Sequence, residues 1–184
     1  MCSLDIHCEA RPYASHLNLP SVAIGRQVGR PGLRALADVH SQLHLRAAAL
    51  PSVPIDSSAF DSGRGQLIAE QLESAVRAQY QTKLRHGSVL IAITDRDMYS
   101  TRSPRWRFVF SARDDAGVGV ISLARLGSTD AALLRSRVDK LLARHVELLH
   151  DHASFNNDPS SVLYENISSV ADIDRMTITA ATAI

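Results

Sequence analysis

Imidazole is the side chain here best suited to metal or proton chemistry. Three of the eight histidines of this 184-residue chain, His145, His150 and His152, lie close together. Neutral imidazole binds zinc readily and titrates near neutrality. Spacing decides what such a set can do. Two histidines four residues apart share one face of a helix. His145 and His150 are five apart, which at about 3.6 residues per turn separates them by about 140°. His150 has Ser154 four residues on, and His152 has Asn156. His145, His150 and His152 are therefore candidate ligands only for a non-standard metal site, with Asp151 or Asp158 as carboxylate partners. The competing expectations are structural. His145 suits a partly buried core position with a hydrogen bond. His150 and His152 suit a helix C-terminus, where partial positive charge meets the dipole.

Other polar groups invite chemistry too. Asp95 and Asp97 could form an acid/base pair, although organising a loop is the commoner task. Tyr99 could stabilise an oxyanion or order a loop through its hydroxyl. Arg64-Gly65-Gln66 opens a helical stretch, with Arg64 available for a buried ion pair. Arg102, Arg105 and Arg107 cluster locally, suited either to acidic partners or RNA or to a solvated edge strand. Ser122 lacks the G-x-S-x-G setting of a serine nucleophile.

Composition narrows the field. The 20 basic and 19 acidic residues leave a net charge of +1, which speaks against a strongly electrostatic nucleic-acid or membrane-surface binder. No apolar run reaches the roughly 18 residues of a membrane span. The first twenty residues mix His7, Glu9, Arg11 and His16 with apolar side chains, unlike the apolar stretch of a secretory leader. Cys2 and Cys8 are the only cysteines, so the body has no disulfide framework and no cysteine-rich zinc site. The expectation is a cytoplasmic protein. Lys83 and Lys140 are the only lysines among the basic residues, a bias that fits a GC-rich genome.

Elements must position these groups. Ser21 to Gly25 and Leu45 to Leu50 are candidate strands, with a helical stripe at Leu33, Leu36, Ala37, Val39 and Leu43 between them. Pro51, Pro54 and Asp61-Ser62-Gly63 mark a loop. Gln66 to Tyr80 reads as a helix, with Leu67, Ile68, Leu72, Ala75, Val76 and Tyr80 on one face. Ser88 to Thr94 is a near-continuous β-favouring run, as expected of a strand buried on both faces. Arg105 to Phe110, alternating Trp106, Phe108 and Phe110, and Gly117 to Leu123 are further strands. Asp114 to Gly117 between them reads as a hairpin turn, which makes the pair antiparallel. Trp106 and Phe108 are expected to pack the sheet against a helix. A long helix spans about 129–151, with Asp130 as a cap and a stripe at Leu134, Val138, Leu141, His145 and Leu149. A short helix follows at about 170–176.

Three stretches together resemble the archaemetzincin family, small metzincin-fold zinc peptidases. Pro54 to Gln66 (PIDSSAFDSGRGQ) is similar to the family's proline, aromatic-Asp pair and Arg-Gly-Gln. Val89 to Tyr99 (VLIAITDRDMY) is similar to its strand ending in Thr-Asp-x-Asp-x-Tyr. Phe108 to Leu126 (FVFSARDDAGVGVISLARL) is similar to its Phe-Val-Phe segment followed by Ile-Ser-x-x-Arg-Leu. The resemblance is close over residues 54–126 and looser over 21–176. It implies the pattern H-E-x-x-H-x-x-G-x-x-H on the long helix and the turn after it, where three histidines bind zinc and the glutamate acts as general base. It also implies a methionine turn beneath the metal and a second zinc held mainly by cysteines.

The chain departs from that pattern where the chemistry lies. The register that matches Val162-Leu163 to the family's Val-Met turn puts the first histidine at His145. Val146 then stands for the base and Leu149 for the second histidine. His152 stands for the glycine, Phe155 for the third histidine and Leu163 for the methionine. The cysteines of the second site are missing.

The expected fold is α/β, a single metzincin-like domain with a mixed twisted sheet flanked by helices. Its expected bounds are 20–176, with an N-terminal arm at 1–19 and a tail at 177–184. The expected function is that of a zinc-peptidase homologue without catalytic residues or cofactor, a binding or regulatory module with a peptide or protein partner. The alternative is an active zinc peptidase with a rearranged set of His145, His150 and His152. RNA or acidic-partner binding through the arginines is a third expectation.

Overall fold

The apolar run Val89–Thr94 becomes the central strand of a five-stranded sheet. The structure, a computed structural model, describes residues 21–24, 46–80, 82 and 88–178. In chain order the strands are β1 (Ser21–Ile24), β2 (Arg46–Ala49), β3 (Phe60–Asp61), β4 (Gln66–Ile68), β5 (Val89–Thr94), β6 (Met98–Tyr99), β7 (Ser111–Arg113) and β8 (Val118–Ser122). The helices are α1 (Ala69–Tyr80), α2 (Ala131–Leu149) and α3 (Val170–Arg175). The larger sheet has the order β2-β1-β5-β8-β7, and the smaller one β3-β4-β6. The β1–β2, β1–β5 and β5–β8 pairs are parallel, and the β7–β8 hairpin is antiparallel. The early helical stripe at 33–43 and the arm at 1–19 lie outside the described residues. No described helix is long and apolar enough to cross a membrane.

Side chains alternate across a strand, and this builds two cores from one sheet. Val89, Ile91 and Ile93 of β5 pack with Ile121 of β8 against Val138, Leu141, Leu142, Val146 and Leu149 of α2. On the other face, Leu90 and Val118 pack against Val76 and Tyr80 of α1. Asp130 caps α2, its Oδ1 accepting from the amides of Ala132 at 2.8 Å and Leu133 at 3.4 Å. That satisfies two of the four free N–H groups at a helix start.

Three expectations are corrected. The helix expected from Gln66 starts at Ala69, because Gln66–Ile68 forms β4 between β3 and β6. Gly65, at φ 66°, reverses the chain there, and its amide donates to Asp61 O at 2.8 Å. Arg105 to Phe110 is not a strand, and the edge strand begins only at Ser111. The chain before it turns instead, Ser103 N donating to Ser100 O and Trp106 N to Ser103 O. Trp106 is 39% exposed rather than packed. Phe108 does pack, edge-on to Phe110 at 5.1 Å between ring centroids.

Candidate functional site

A cleft of about 330 Å³ opens between the edge strand β7 and the C-terminal half of α2. Phe155 and the segment around Ser100 close its sides. Among the described strands β7 pairs with β8 alone and forms an edge of the sheet. Ser122 N donates to Phe110 O and Asp114 N to Val118 O, at 2.9 Å each. In an antiparallel pair alternate residues turn both main-chain groups to the partner. Ser111 and Arg113 therefore turn theirs away from β8.

His145 lies at the inner wall of this cleft and is 2% exposed. Its Nδ1 is 2.8 Å from Leu141 O, one turn back, and its Nε2 is 3.1 Å from Ala112 O on β7. Only the imidazolium could donate to both carbonyls. Burial pushes the other way. Desolvation overrides the two hydrogen bonds, Arg144 and Arg113 add like charge, and the pKa falls to about 4. The ring is thus neutral near pH 7. The ring fits there because residue 119 has no side chain: a Cβ on Gly119 would come within 2.2 Å of His145 Cδ2.

The polar groups around the small sheet serve as scaffold. Asp97 accepts from Gln66 Nε2 at 2.9 Å and from Arg125 through both oxygens, at 2.8 and 2.6 Å. Tyr99 donates to Asp61 Oδ2 at 2.9 Å, and the Arg64 guanidinium lies 4.1 Å above its ring. Tyr99 thus orders the loop. Arg64, expected in a buried ion pair, stacks on an aromatic face instead. Arg102, expected on a solvated edge strand, is held by Glu70 at 3.2 Å and Glu73 at 2.6 Å. Burial alone would push the Glu70 carboxyl up. The Ser100 hydroxyl at 2.5 Å, then backbone amides including those of Arg102 and Thr101, reverse this and hold it at about 2. Ser122 is buried, and its hydroxyl donates to Arg96 O at 2.8 Å.

No family model matches the chain. An archaemetzincin of Natronomonas pharaonis is 30% identical over 138 residues, covering 73% of this chain and 70% of that protein. The chain belongs to the archaemetzincin family. The solved structures agree in fold. An archaemetzincin of Methanopyrus kandleri superimposes with a TM-score of 0.70 at 24% identity, over 90% of this chain and 89% of that one. A zinc-dependent peptidase of Methanocorpusculum labreanum gives 0.67 at 18% identity, over 85% and 92%. An archaemetzincin of Archaeoglobus fulgidus gives 0.64 at 21%, over 85% and 90%. The expected α/β metzincin-like fold is the fold of this chain.

In this archaemetzincin the donor set at the family's metal positions does not fit a zinc ion. Val146 and Leu149, at the base and second-histidine positions, are buried in the core beside Leu141 and Ile121. Neither carries a lone pair. Phe155, at the third-histidine position, is 40% exposed with the Arg144 and Arg113 guanidiniums over its ring, at 4.7 and 5.4 Å. One backbone feature agrees with the register that the resemblance sets. His152, at the glycine position, has φ 53°, the left-handed turn that glycine normally supplies. His152 is exposed, and His150 Nδ1 contacts Asp151 Oδ1 at 2.6 Å. Among the described residues no three His, Cys, Asp or Glu side chains group closely enough to hold a metal ion.

Sequence reasoning singles out Arg102 among the charged residues lining the cleft, but not Arg113 and Arg144. Arg144 stands beside the apolar stripe of α2 and reads as an ordinary helical arginine. Arg113 is one residue before the hairpin turn, where charged residues are usual. Only their meeting on Phe155 sets them apart, and no periodicity records that.

Proposed function

We propose that this archaemetzincin has lost zinc-dependent peptidase chemistry and works as a binding module, taking an extended segment of a peptide or protein partner into the cleft beside β7. The observation that carries this reading is Leu149. It stands one helical turn beyond His145, 8% exposed, within the core formed by β5, β8 and α2. A carbon side chain there cannot ligate a metal. The outward main-chain groups of Ser111 and Arg113 support the binding half of the proposal. An extended peptide can hydrogen-bond to such an edge as an added strand. We also propose a cytoplasmic placement, a reading that the scarcity of cysteines, Cys2 and Cys8 alone, supports.

The test is metal content of untagged protein purified without added metal. No stoichiometric zinc is expected, and chelator should leave the melting temperature unchanged. One tightly held zinc per chain, lost on His145→Ala, would overturn the proposal. Loss on His150→Ala or His152→Ala as well would restore the rearranged histidine set.

A further inference from the structure

We infer that the cleft is a carboxylate-binding site, with the guanidiniums of Arg144 and Arg113, braced on Phe155, as its anion-recognising groups. The inference rests on the peptide-binding reading and adds the chemistry of what is bound.

Arg144 is the anomaly. It is 6% exposed, as buried as Arg137 on the same helix. Arg137 is compensated by Asp174, with Nε and Nη2 donating to its two oxygens at 2.8 and 2.7 Å. Arg77, Arg102, Arg125 and Arg175 likewise each face a carboxylate. Among the described residues no carboxylate lies within ion-pair distance of Arg144. Glu165 acts on it only at longer range. Among the described residues its hydrogen bonds occupy Nη1 alone, which donates to Val162 O at 2.8 Å and Tyr164 O at 2.6 Å. Nε and Nη2 are left, the edge of a guanidinium that takes both oxygens of a carboxylate.

The neighbourhood makes the missing anion more conspicuous. Arg113 shares the Phe155 ring with Arg144 and lines the same cleft. Its ion pair with Asp115, at 3.5 Å, is to a fully exposed side chain, a contact worth little. Desolvation first, and then the like charge of Arg113, push the Arg144 pKa down to about 10, which still leaves it protonated near pH 7. A buried cation with unused donors is costly unless a partner supplies the counter-charge. The free edge is planar and presents paired donors, which favours a carboxylate.

Its position specifies the carrier. Arg113 belongs to β7 itself, so a strand added along Ser111 and Arg113 ends at the guanidinium pair. The carboxylate is then either the C-terminus of the bound peptide or an acidic side chain within it.

The experiment uses the untagged full chain and calorimetric titration in low salt with three peptides. These are acetyl-Ala-Val-Ser-Val as the free acid, the same peptide as its C-terminal amide, and that amide with glutamate in place of serine. At least about a tenfold tighter Kd is expected for one or both acidic peptides over the neutral amide, which corresponds to about 1.4 kcal/mol. The free acid winning identifies a C-terminus, and the glutamate peptide an acidic side chain. Arg113→Gln, on the cleft rim, should abolish the preference without changing the melting temperature. Arg144→Lys, which keeps charge but loses the fork, should weaken it. Equal binding of all three peptides would overturn the carboxylate site and leave the binding module standing. Inorganic phosphate binding more tightly than either acid would also overturn it. No binding of any peptide would overturn both readings, and the zinc measurement then decides whether peptidase chemistry returns.

Discussion

A neutral imidazole between two carbonyl oxygens gives His145 a direct pH signature. Its pKa is about 4 in the folded chain, against about 6.5 when unfolded. Between those values the unfolded chain binds the proton and the folded chain does not. Stability is therefore full above about pH 6.5 and falls as the pH drops toward 4, by about 3 kcal/mol in all. Urea unfolding at a series of pH values should show this slope, and His145→Asn should flatten it. A variant as steep as the parent would mean that His145 is not the responsible group. Glu70 acts in a lower window. Its carboxyl sits at about 2 rather than the usual 4.5, so its contribution is present above pH 4.5 and is lost as the pH falls toward 2. Solvent reaches this group, so the second loss should be the smaller. Glu70→Gln should remove it while leaving the His145 slope in place.

Helix α2 meets the sheet where the His145 ring lies on Gly119, and Arg137 is one of the residues through which it meets α3. Each contact makes an element-scale prediction. Alanine suits a strand better than glycine does, yet Gly119→Ala would drive its Cβ into the ring. It should cost about 1–3 kcal/mol, the range for overpacking a core. In a His145→Ala background the same change should cost almost nothing, so the two sites couple in a double-mutant cycle. Additive effects in denaturant unfolding would refute the contact. At the other join, Arg137 holds Asp174 through two hydrogen bonds and also reaches Leu126 O and Gly127 O at 2.8 and 3.0 Å. Arg137→Ala strands these partners and should cost roughly 2–4 kcal/mol. The more exposed pair of Arg175 with Asp172 should cost under about 1 kcal/mol when Arg175 becomes alanine. A reversed order of the two losses would show that α3 is held from its other side.

The larger sheet carries a core on each face and the smaller sheet adjoins it in sequence, and sequence shows such an arrangement only in part. β5 was legible because burial on both faces leaves an uninterrupted apolar run. α2 was legible because its stripe and Asp130 agree. β4 was not: Leu67 and Ile68 also fit the stripe of α1, and their partners in β6 are far away in sequence. The alternation at Arg105 to Phe110 is real, but a strand also needs a neighbour, and the ladder with β8 starts at Ser111, with only the bond from Ser122 N to Phe110 O before it. The site was legible to the same degree. His145 could be placed on its helix face, whereas the charge of the cleft arises only where β7, α2 and the loop at Phe155 meet. That charge bears on whether zinc can be held at this place in the fold. His152 has the left-handed turn that the resemblance places at the glycine position, so Leu149→His with Phe155→His sets two imidazoles beside His145 in that register. The guanidiniums of Arg113 and Arg144, whose fields already reach His145, would then face a divalent cation and oppose it. The pair of substitutions alone should bind zinc weakly, and adding Arg113→Gln should tighten binding at least about tenfold, or about 1.4 kcal/mol. Zinc titration of the two variants, followed by melting temperature with and without chelator, measures the difference. Equal affinities would show that the guanidinium field does not reach the metal position, and that the core at Leu149 alone keeps zinc out.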